Sequence, residues 1–251
     1  MTSIERKKEI IRLIQANERV EVEELTKLFG VSKVTIRSDL DNLETRGLLV
    51  RTHGGAISPE KQNLIRFYNN TMNEFTEEKE RIAKAASLLL TPGETLIIDN
   101  GSTTAHLAKY LSGKNLTVAT GSLWAINELS KDDSVELIVL GGILRRYSMG
   151  TIGSLTRACL EQFHADWLFM GASSISMENG IWSSNLIESD SKQLMIRSAS
   201  KVCLIADKSK MEKQAFGKIC DWSDIDYFVT DYLDQKDKEK LDSLGVQVII
   251  A

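Results

Sequence analysis

The sequence predicts an α/β chain in two parts: a small N-terminal helical unit closed by a Gly-rich hairpin, then a larger domain on a mostly parallel sheet. Two observations predict it. Within residues 1–57, three helix-like stretches precede two short strand-like ones around Gly54-Gly55. From Thr95 onward, short apolar stretches alternate with helix-like ones, the pattern of strands joined by crossover helices. The 251 residues are 42% apolar and 26% charged, enough to bury a large core. No run of about 18 apolar residues occurs, so no membrane span is expected. The N-terminus leads into polar helix rather than an apolar signal core, which implies a cytoplasmic protein. Cys159, Cys203 and Cys220 have no paired spacing, and His53, His106 and His164 lie far apart. Reduced thiols, no metal and no cofactor are expected.

Each element has a local reason. Ile10, Ile11 and Ile14 give residues 3–17 one apolar helical face. Residues 22–29 form a second helix, with Glu21, Glu23 and Glu24 at the dipole's positive end. Gly30-Val31-Ser32 makes a tight turn, and Ser32 caps a third helix over residues 33–46. That helix buries Ile36, Leu40 and Leu43 at i, i+4 and i+7 and stops at Gly47. Residues 48–57 read as a hairpin.

Residues 58–75 lack periodicity and read as the linker between a 1–57 domain and a 76–251 domain. The second domain opens with a helix over 76–90, stopped by Thr91-Pro92-Gly93. Strands are expected at 95–99, 116–120, 135–140, 167–171, 202–206, 227–230 and 246–250. Helices are expected at 103–112, 123–130, 154–163, 188–199 and 235–244. Continuously apolar strands such as Val202-Cys203-Leu204-Ile205-Ala206 suit a sheet covered on both faces.

Helix, helix, tight turn, helix and Gly-rich hairpin is the order of a winged helix-turn-helix. With its apolar face buried, the third helix leaves Lys33, Thr35, Arg37 and Ser38 outward, beside its cap Ser32. Hydroxyls and cations there suit phosphate oxygens, and Arg or Lys suits a guanine edge. Arg46, Arg51 and His53 flank the wing, where each is placed to meet a neighbouring phosphate. Bulk charge does not decide the matter. Residues 1–57 hold ten Lys/Arg against nine Asp/Glu, while the remainder holds 21 against 26.

A second constellation lies at predicted strand ends. Asp99-Asn100-Gly101-Ser102-Thr103-Thr104 leaves one strand and opens a helix, where backbone N–H groups and hydroxyls favour an anion. Thr120-Gly121-Ser122, Gly141-Gly142 and Asp207-Lys208-Ser209-Lys210 follow three other strands and join the same rim, the usual ligand edge of such sheets. Lys210 or Arg145 supplies the positive charge. Singly, each turn is explained as well by helix capping; four at strand ends point to a ligand. Glu188 and Lys192, four apart on a helix, fit an ordinary surface pair or a ligand contact.

Residues 31–44 together with 47–56, Gly47-Leu48-Leu49-Val50-Arg51-Thr52-His53-Gly54-Gly55-Ala56, resemble the signature of the DeoR family of bacterial sugar-operon regulators. Ser38 departs from it, standing where the family usually has a second basic residue. The rest of the chain resembles the family's effector domain, a Rossmann-like fold related to ribose-5-phosphate isomerase. Glu78-Lys79, Ile82-Ala83, 99–104, Gly141-Gly142 with Arg145, Gly153, and Ala206-Asp207 with Ser209-Lys210 carry that likeness. Gly121 stands where Asn is common, and Ala172-Ser173-Ser174 replaces a stretch that often holds Asp-Gly.

The resemblance implies a repressor that binds operator DNA as a homo-oligomer, a dimer or larger, and is released by a phosphorylated sugar. Paired half-sites about one helical turn apart fit that expectation physically. Two rival readings are a sugar-phosphate isomerase and a DNA-binding protein with an inert oligomerisation domain. The isomerase needs a carboxylate base, and Ser173 and Ser174 offer only hydroxyls where one is wanted; Asp207 and Glu188 are the carboxylates left.

Overall fold

The computed structural model describes residues 3–17, 19–45, 48–52, 54–57, 72–211 and 215–251. Arg46, Gly47, His53 and linker residues 58–71 lie outside that set. The chain divides into two compact units, residues 1–70 and 71–251.

In the first unit, α1 (Ser3–Asn17), α2 (Val22–Phe29) and α3 (Lys33–Thr45) enclose Ile10, Ile14, Leu25, Ile36, Leu40 and Leu43. The i, i+4, i+7 stripe of α3 is sealed, with Ile36, Leu40 and Leu43 at 0–1% exposure. The turn between α2 and α3 depends on Gly30. It ends α2 in the left-handed region (φ 65°), donating its N–H to Thr26 O at 3.0 Å. Ser32 then caps α3, its Oγ accepting the Thr35 N–H at 3.2 Å.

The wing is a three-stranded antiparallel sheet of β1 (Arg19–Glu21), β2 (Val50–Arg51) and β3 (Gly55–Ile57), in the order β1-β3-β2. The sequence reading foresaw the β2–β3 hairpin but not β1. Three residues between two helices carry no period of their own, and β1 exists because β3 pairs with it. Their approach is close: a Cβ on Gly55 would lie 1.9 Å from Val20 O.

One buried charge was also not foreseen. Asp39 is 4% exposed and accepts from Arg6 Nε at 2.5 Å and Ser3 Oγ at 3.2 Å, with Lys7 Nζ at 3.7 Å. It ties α1 to α3 from a position that reads as polar helix surface in the sequence.

The second unit opens with α4 (Thr76–Ser87), preceded by a helical turn at Met72 and Asn73. Residues 72–75, read as linker, therefore sit inside this unit. The predicted helix over 76–90 ends early because Leu88 and Leu89 donate three residues back, to Ala85 O and Ala86 O. All seven predicted strands then appear: β4 (Thr95–Ile98), β5 (Leu116–Thr120), β6 (Val135–Val139), β9 (Ala165–Met170), β12 (Ala199–Ile205), β14 (Tyr227–Thr230) and β15 (Gln247–Ile250). They form one parallel sheet, β15-β14-β12-β9-β4-β5-β6.

Burial explains their apolar runs. In β9, Leu168 and Met170 face one core while Trp167 and Phe169 face the other. With period-2 alternation and both faces covered, every residue along such a strand must be apolar. The crossovers include α5 (Ser102–Ala108), α6 (Leu123–Leu129), α7 (Ser154–Leu160), α8 (Leu186–Arg197) and α9 (Gln235–Ser243). Asn185 caps α8, accepting the Ile187 and Glu188 N–H groups. Two small antiparallel elements were not anticipated: a hairpin of β7 (Ile143–Arg145) with β8 (Gly150–Ile152), and the sheet β10 (Ser174–Ser176), β11 (Gly180–Ser183), β13 (Gly217–Cys220). None of the described helices is long and apolar enough to cross a membrane.

Removing the Asp39 carboxylate leaves the Arg6 charge buried without its partner, a loss of about 3 kcal/mol or more. Asp39→Ala is expected to give the full chain an early unfolding step in urea, absent from the parent. Coincident urea curves for the two proteins would show that the pair does not hold the first unit together.

Candidate functional site

On α3, Ser32, Lys33, Arg37 and Ser38 are exposed and Thr35 is partly so, while Ile36 and Leu40 lie beneath them. Arg37 has no ion-pair partner among the described residues. Lys33 Nζ meets Glu23 Oε1 at 2.6 Å, an exposed pair that water and salt loosen readily. Arg51 differs from its expected place. Its Nε lies 3.0 Å from Asp41 Oδ1, one Nη donates to Gly55 O at 3.2 Å, and its backbone N–H meets Glu44 Oε1 at 2.8 Å. It staples the wing to α3 instead of reaching outward. A short, tightly turned wing needs its polar groups satisfied from within.

In the second unit the strand order reverses between β4 and β9, so the crevice of a doubly wound sheet opens at their carboxyl ends. Asp99, just past β4, occupies it at 2% exposure. Its Oδ2 accepts the Gly171 N–H at 3.0 Å, from the end of β9, and is in direct contact with Lys192 Nζ. Lys192 also donates to Gly171 O at 3.0 Å. Glu188, one turn earlier on α8, accepts from Arg145 Nε at 2.7 Å and from Ser183 Oγ at 3.3 Å. Of the two readings of Glu188 and Lys192, the surface pair with each other is therefore not made. Both face inward, and each takes a partner from another element. Asp99, Asn100, Glu188, Ser191 and Lys192, with Ile152 and Met195, line a small cleft.

The four predicted turns all follow strands on this carboxyl edge, and Thr151 ties three of them together through Asn100, Gly121 and Leu140. From β6 to β12 there are four inter-strand gaps, roughly 19 Å in all. Several predicted ligand hydroxyls serve as internal fasteners. Thr104 Oγ1 donates to Asp99 O at 2.7 Å, Thr120 Oγ1 donates to Ile98 O at 2.8 Å and accepts the Ser122 N–H, and Ser122 Oγ caps α6 through Ala125. All three are buried, as is Thr103. Gly141 O accepts from Thr156 Oγ1 at 2.7 Å, and a Cβ on Gly142 would strike that hydroxyl at 2.3 Å. These glycines shape the β7–β8 hairpin. Gly101, Ser102, Arg145 and Lys210 keep partial exposure on the rim.

Past β12, Asp207 is 1% exposed, with Oδ1 accepting the Ser209 N–H at 2.9 Å and Oδ2 buried with no hydrogen-bond partner among the described residues. Lys79 of α4 lies fully buried near it and donates to Glu74 O at 2.7 Å. Burial pushes the Lys79 ammonium down to about 8; Asp207 works against that and Lys210 adds to it. The sequence placed Lys79 only within a family pattern. Nothing local marks it, because a lysine among Glu77, Glu78 and Glu80 reads as a solvated helix face.

A winged helix-turn-helix with an open polar face, on the same chain as a doubly wound sheet holding a polar crevice, defines a DNA-binding transcription regulator with its own sensor domain. Comparison with known families gives the same answer. The DeoR-like helix-turn-helix domain matches residues 6–62, and the DeoR C terminal sensor domain matches residues 74–232. The chain belongs to the DeoR family.

Its relatives include the HTH-type transcriptional regulator GolR of Listeria innocua serovar 6a, 34% identical over 253 residues and 100% of both chains. The putative aga operon transcriptional repressor of Escherichia coli O157:H7 is 34% identical over 98% of this chain and 93% of its own. The glycerol-3-phosphate regulon repressor of Escherichia coli K12 is 33% identical over 92% of each. Among solved structures, ribose 5-phosphate isomerase A of Methanocaldococcus jannaschii overlays 55% of this chain and 56% of its own, at 16% identity and a TM-score of 0.41.

Lys79 makes a pH prediction. Its ammonium titrates near 8 when folded and near 10.5 when unfolded, so the unfolded chain binds more protons between those values. The buried charge therefore costs stability below pH 8, and the cost fades as pH rises toward 10.5. Lys79→Met is expected to melt higher than the parent at pH 7, with the gap shrinking steadily from pH 8 to 10. A gap independent of pH would mean that Lys79 keeps its charge hydrated.

Proposed function

We propose that this protein is a repressor of a sugar-metabolism operon, released from its operator when a phosphorylated sugar enters the second unit. The observation that carries the DNA half is α3, sealed along Ile36, Leu40 and Leu43 and open along Ser32, Lys33, Thr35, Arg37 and Ser38. Such a helix suits the major groove, with Arg37 as the base-reading candidate and the hydroxyls on phosphates. Arg46 and His53 stay in the proposed contact set by their place in the chain, and Arg51 acts by holding the wing. Relatives named as an aga operon repressor and a glycerol-3-phosphate regulon repressor support both halves.

For the sugar phosphate, the rim from Asp99 through Gly101, Ser102, Thr103 and Thr104 to Asp207 and Lys210 forms the proposed site. Thr120, Ser122, Gly141 and Gly142 hold its shape. Lys210, with Lys79 behind it, is the phosphate's cation in this reading, since Arg145 is already engaged by Glu188. In the crevice both carboxylates, Asp99 and Glu188, are bonded to cations, which favours binding over proton abstraction. We place the protein in the cytoplasm. Residues 1–57 serve as the DNA-binding domain, the linker begins at 58, and the sensing and oligomerisation domain read over 76–251 takes in residues 72–75 as well. A dimer or larger assembly sets two α3 helices on paired half-sites.

Two measurements test the proposal. Arg37→Ala is expected to weaken operator binding by more than about 1 kcal/mol in a gel-shift titration. Parent-like binding by the folded variant defeats the assignment of α3. A cognate sugar phosphate at 100 times its Kd stabilises by about 2.7 kcal/mol, a melting shift of roughly 5–10 °C for a protein of this size. No shift across a broad panel favours an inert second unit, and turnover of the stabilising compound favours an isomerase.

A further inference from the structure

We infer that Val34 is a base-reading residue of α3, its methyl groups packing on the C5-methyl of a thymine in each operator half-site. The inference rests on the placement of α3 in the major groove proposed above. It adds a side chain that the proposed contact set omits.

Val34 stands on the outward line of the helix. At 3.6 residues per turn it lies roughly 160° around α3 from Ile36 and roughly 180° from Leu43, both sealed in the core. It is 75% exposed, in the first turn, between exposed Lys33 and half-buried Thr35. Ser38, one turn on, shares this line, and Arg37 stands roughly 60° to its side. A helix about 10–12 Å across fills a major groove about 12 Å wide. Side chains on its outward line then face the groove floor, where the base edges are, and those to the sides face the phosphate walls. In such motifs the N-terminal residues of the helix are the ones that contact base edges.

Local structure does not account for the residue type. A β-branched side chain forms helix less well than Ala, Lys, Gln or Glu, and an exposed one contributes little to the core. Among the described residues, the exposed large apolar side chains of the first unit are Leu28, Val34 and Leu48, and only Val34 belongs to α3. A lone exposed apolar residue is ordinary on a protein surface. One that faces the groove floor has a specific partner. In the major groove, guanine, cytosine and adenine present hydrogen-bonding edges, and thymine adds its C5-methyl. Valine has no side-chain donor or acceptor. Opposite a polar edge it displaces water and returns nothing, while opposite the methyl it removes apolar surface from water on both sides.

The neighbours of Val34 leave that contact open. Lys33 leans toward Glu23 on α2, and the Ser32 and Thr35 hydroxyls meet each other at 2.9 Å across the cap. Asp41, seven residues on from Val34, brings a carboxylate to the same side of α3. Arg51 Nε meets it at 3.0 Å, which offsets a charge that phosphates would repel. Arg37 is then the cation beside Val34. Three residues of helix rise about 4.5 Å, against about 3.4 Å for a base-pair step. For a helix lying along the groove, the thymine falls within a step or two of the guanine that Arg37 reads.

The test uses the full-length chain and the duplex it enriches from a random-sequence pool. Each thymine of the enriched half-site is replaced in turn by deoxyuridine, which removes the C5-methyl alone, in both half-sites at once. For the parent, one such replacement is expected to weaken binding by more than about tenfold in a gel-shift titration, from about fourfold for each methyl. For Val34→Ala the same replacement is expected to cost less than about twofold. The salt dependence of Val34→Ala binding is expected to match the parent's, since no phosphate contact is lost. Alanine is the better helix former at this exposed position, so folding does not confound the comparison. If no deoxyuridine replacement weakens the parent, the inference is overturned. An equal penalty in parent and variant overturns it too, because another residue then reads the methyl. A parent that enriches no sequence does the same, since no base is then read, and so does a shallower salt dependence in Val34→Ala, since the helix has then left its seat on the phosphates. Parent-like binding by Arg37→Ala removes the α3 assignment and this inference together. Deoxyuridine-insensitive binding that still needs Arg37 removes this inference alone.

Discussion

The second unit is organised by a buried ion pair at the point where its sheet reverses direction. Lys192 on α8 reaches the carboxylate of Asp99 and the carbonyl of Gly171, so one ammonium joins the ends of the two strands that flank the crevice. Asp99 closes the loop by accepting the Gly171 N–H. A charge buried in this way is tolerable only when fully compensated, and here each charge is compensated by an element distant in sequence.

The same sheet dictates where function can be. Both of its faces are apolar, filled by Leu168 and Met170 on one side and Trp167 and Phe169 on the other. Polar chemistry is excluded from the faces and collects at the carboxyl edge, where backbone groups leave the ladder. At the crevice each carboxylate is matched by a cation, Asp99 by Lys192 and Glu188 by Arg145. The first unit solves a related problem at smaller scale. Asp39 and Arg6 lock α1 to α3 on the inner side, while Arg37 and Ser38 stay exposed on the outer one.

Much of the fold was legible because it rests on local periodicity. Every strand of the parallel sheet was anticipated, since an apolar run needs no partner to be recognised. Strands β1, β7, β8, β10, β11 and β13 were not. They are three or four residues long, and pairing rather than propensity makes them. The candidate site was legible in part. Turns with Gly, Ser and Thr after strands marked the carboxyl edge of the sheet, but the hydroxyls of Thr104, Thr120 and Ser122 are spent on backbone. Conversely Lys79, Glu188 and Lys192 were undervalued. A charged residue at helical spacing looks the same whether its helix face meets water or a crevice.

By itself, the sequence determined the two-part organisation, the helix-turn-helix order, the parallel sheet and the edge where its polar turns collect. Each follows from patterns within a dozen residues, where the backbone's own period decides which side chains share a face. The tertiary structure alone decided which polar groups on that edge remain available and which are consumed. That choice is set by partners tens of residues away, such as Arg145 for Glu188 or Gly171 for Asp99. Burial converts those encounters into obligations, because a polar group removed from water must find its hydrogen bonds inside the protein.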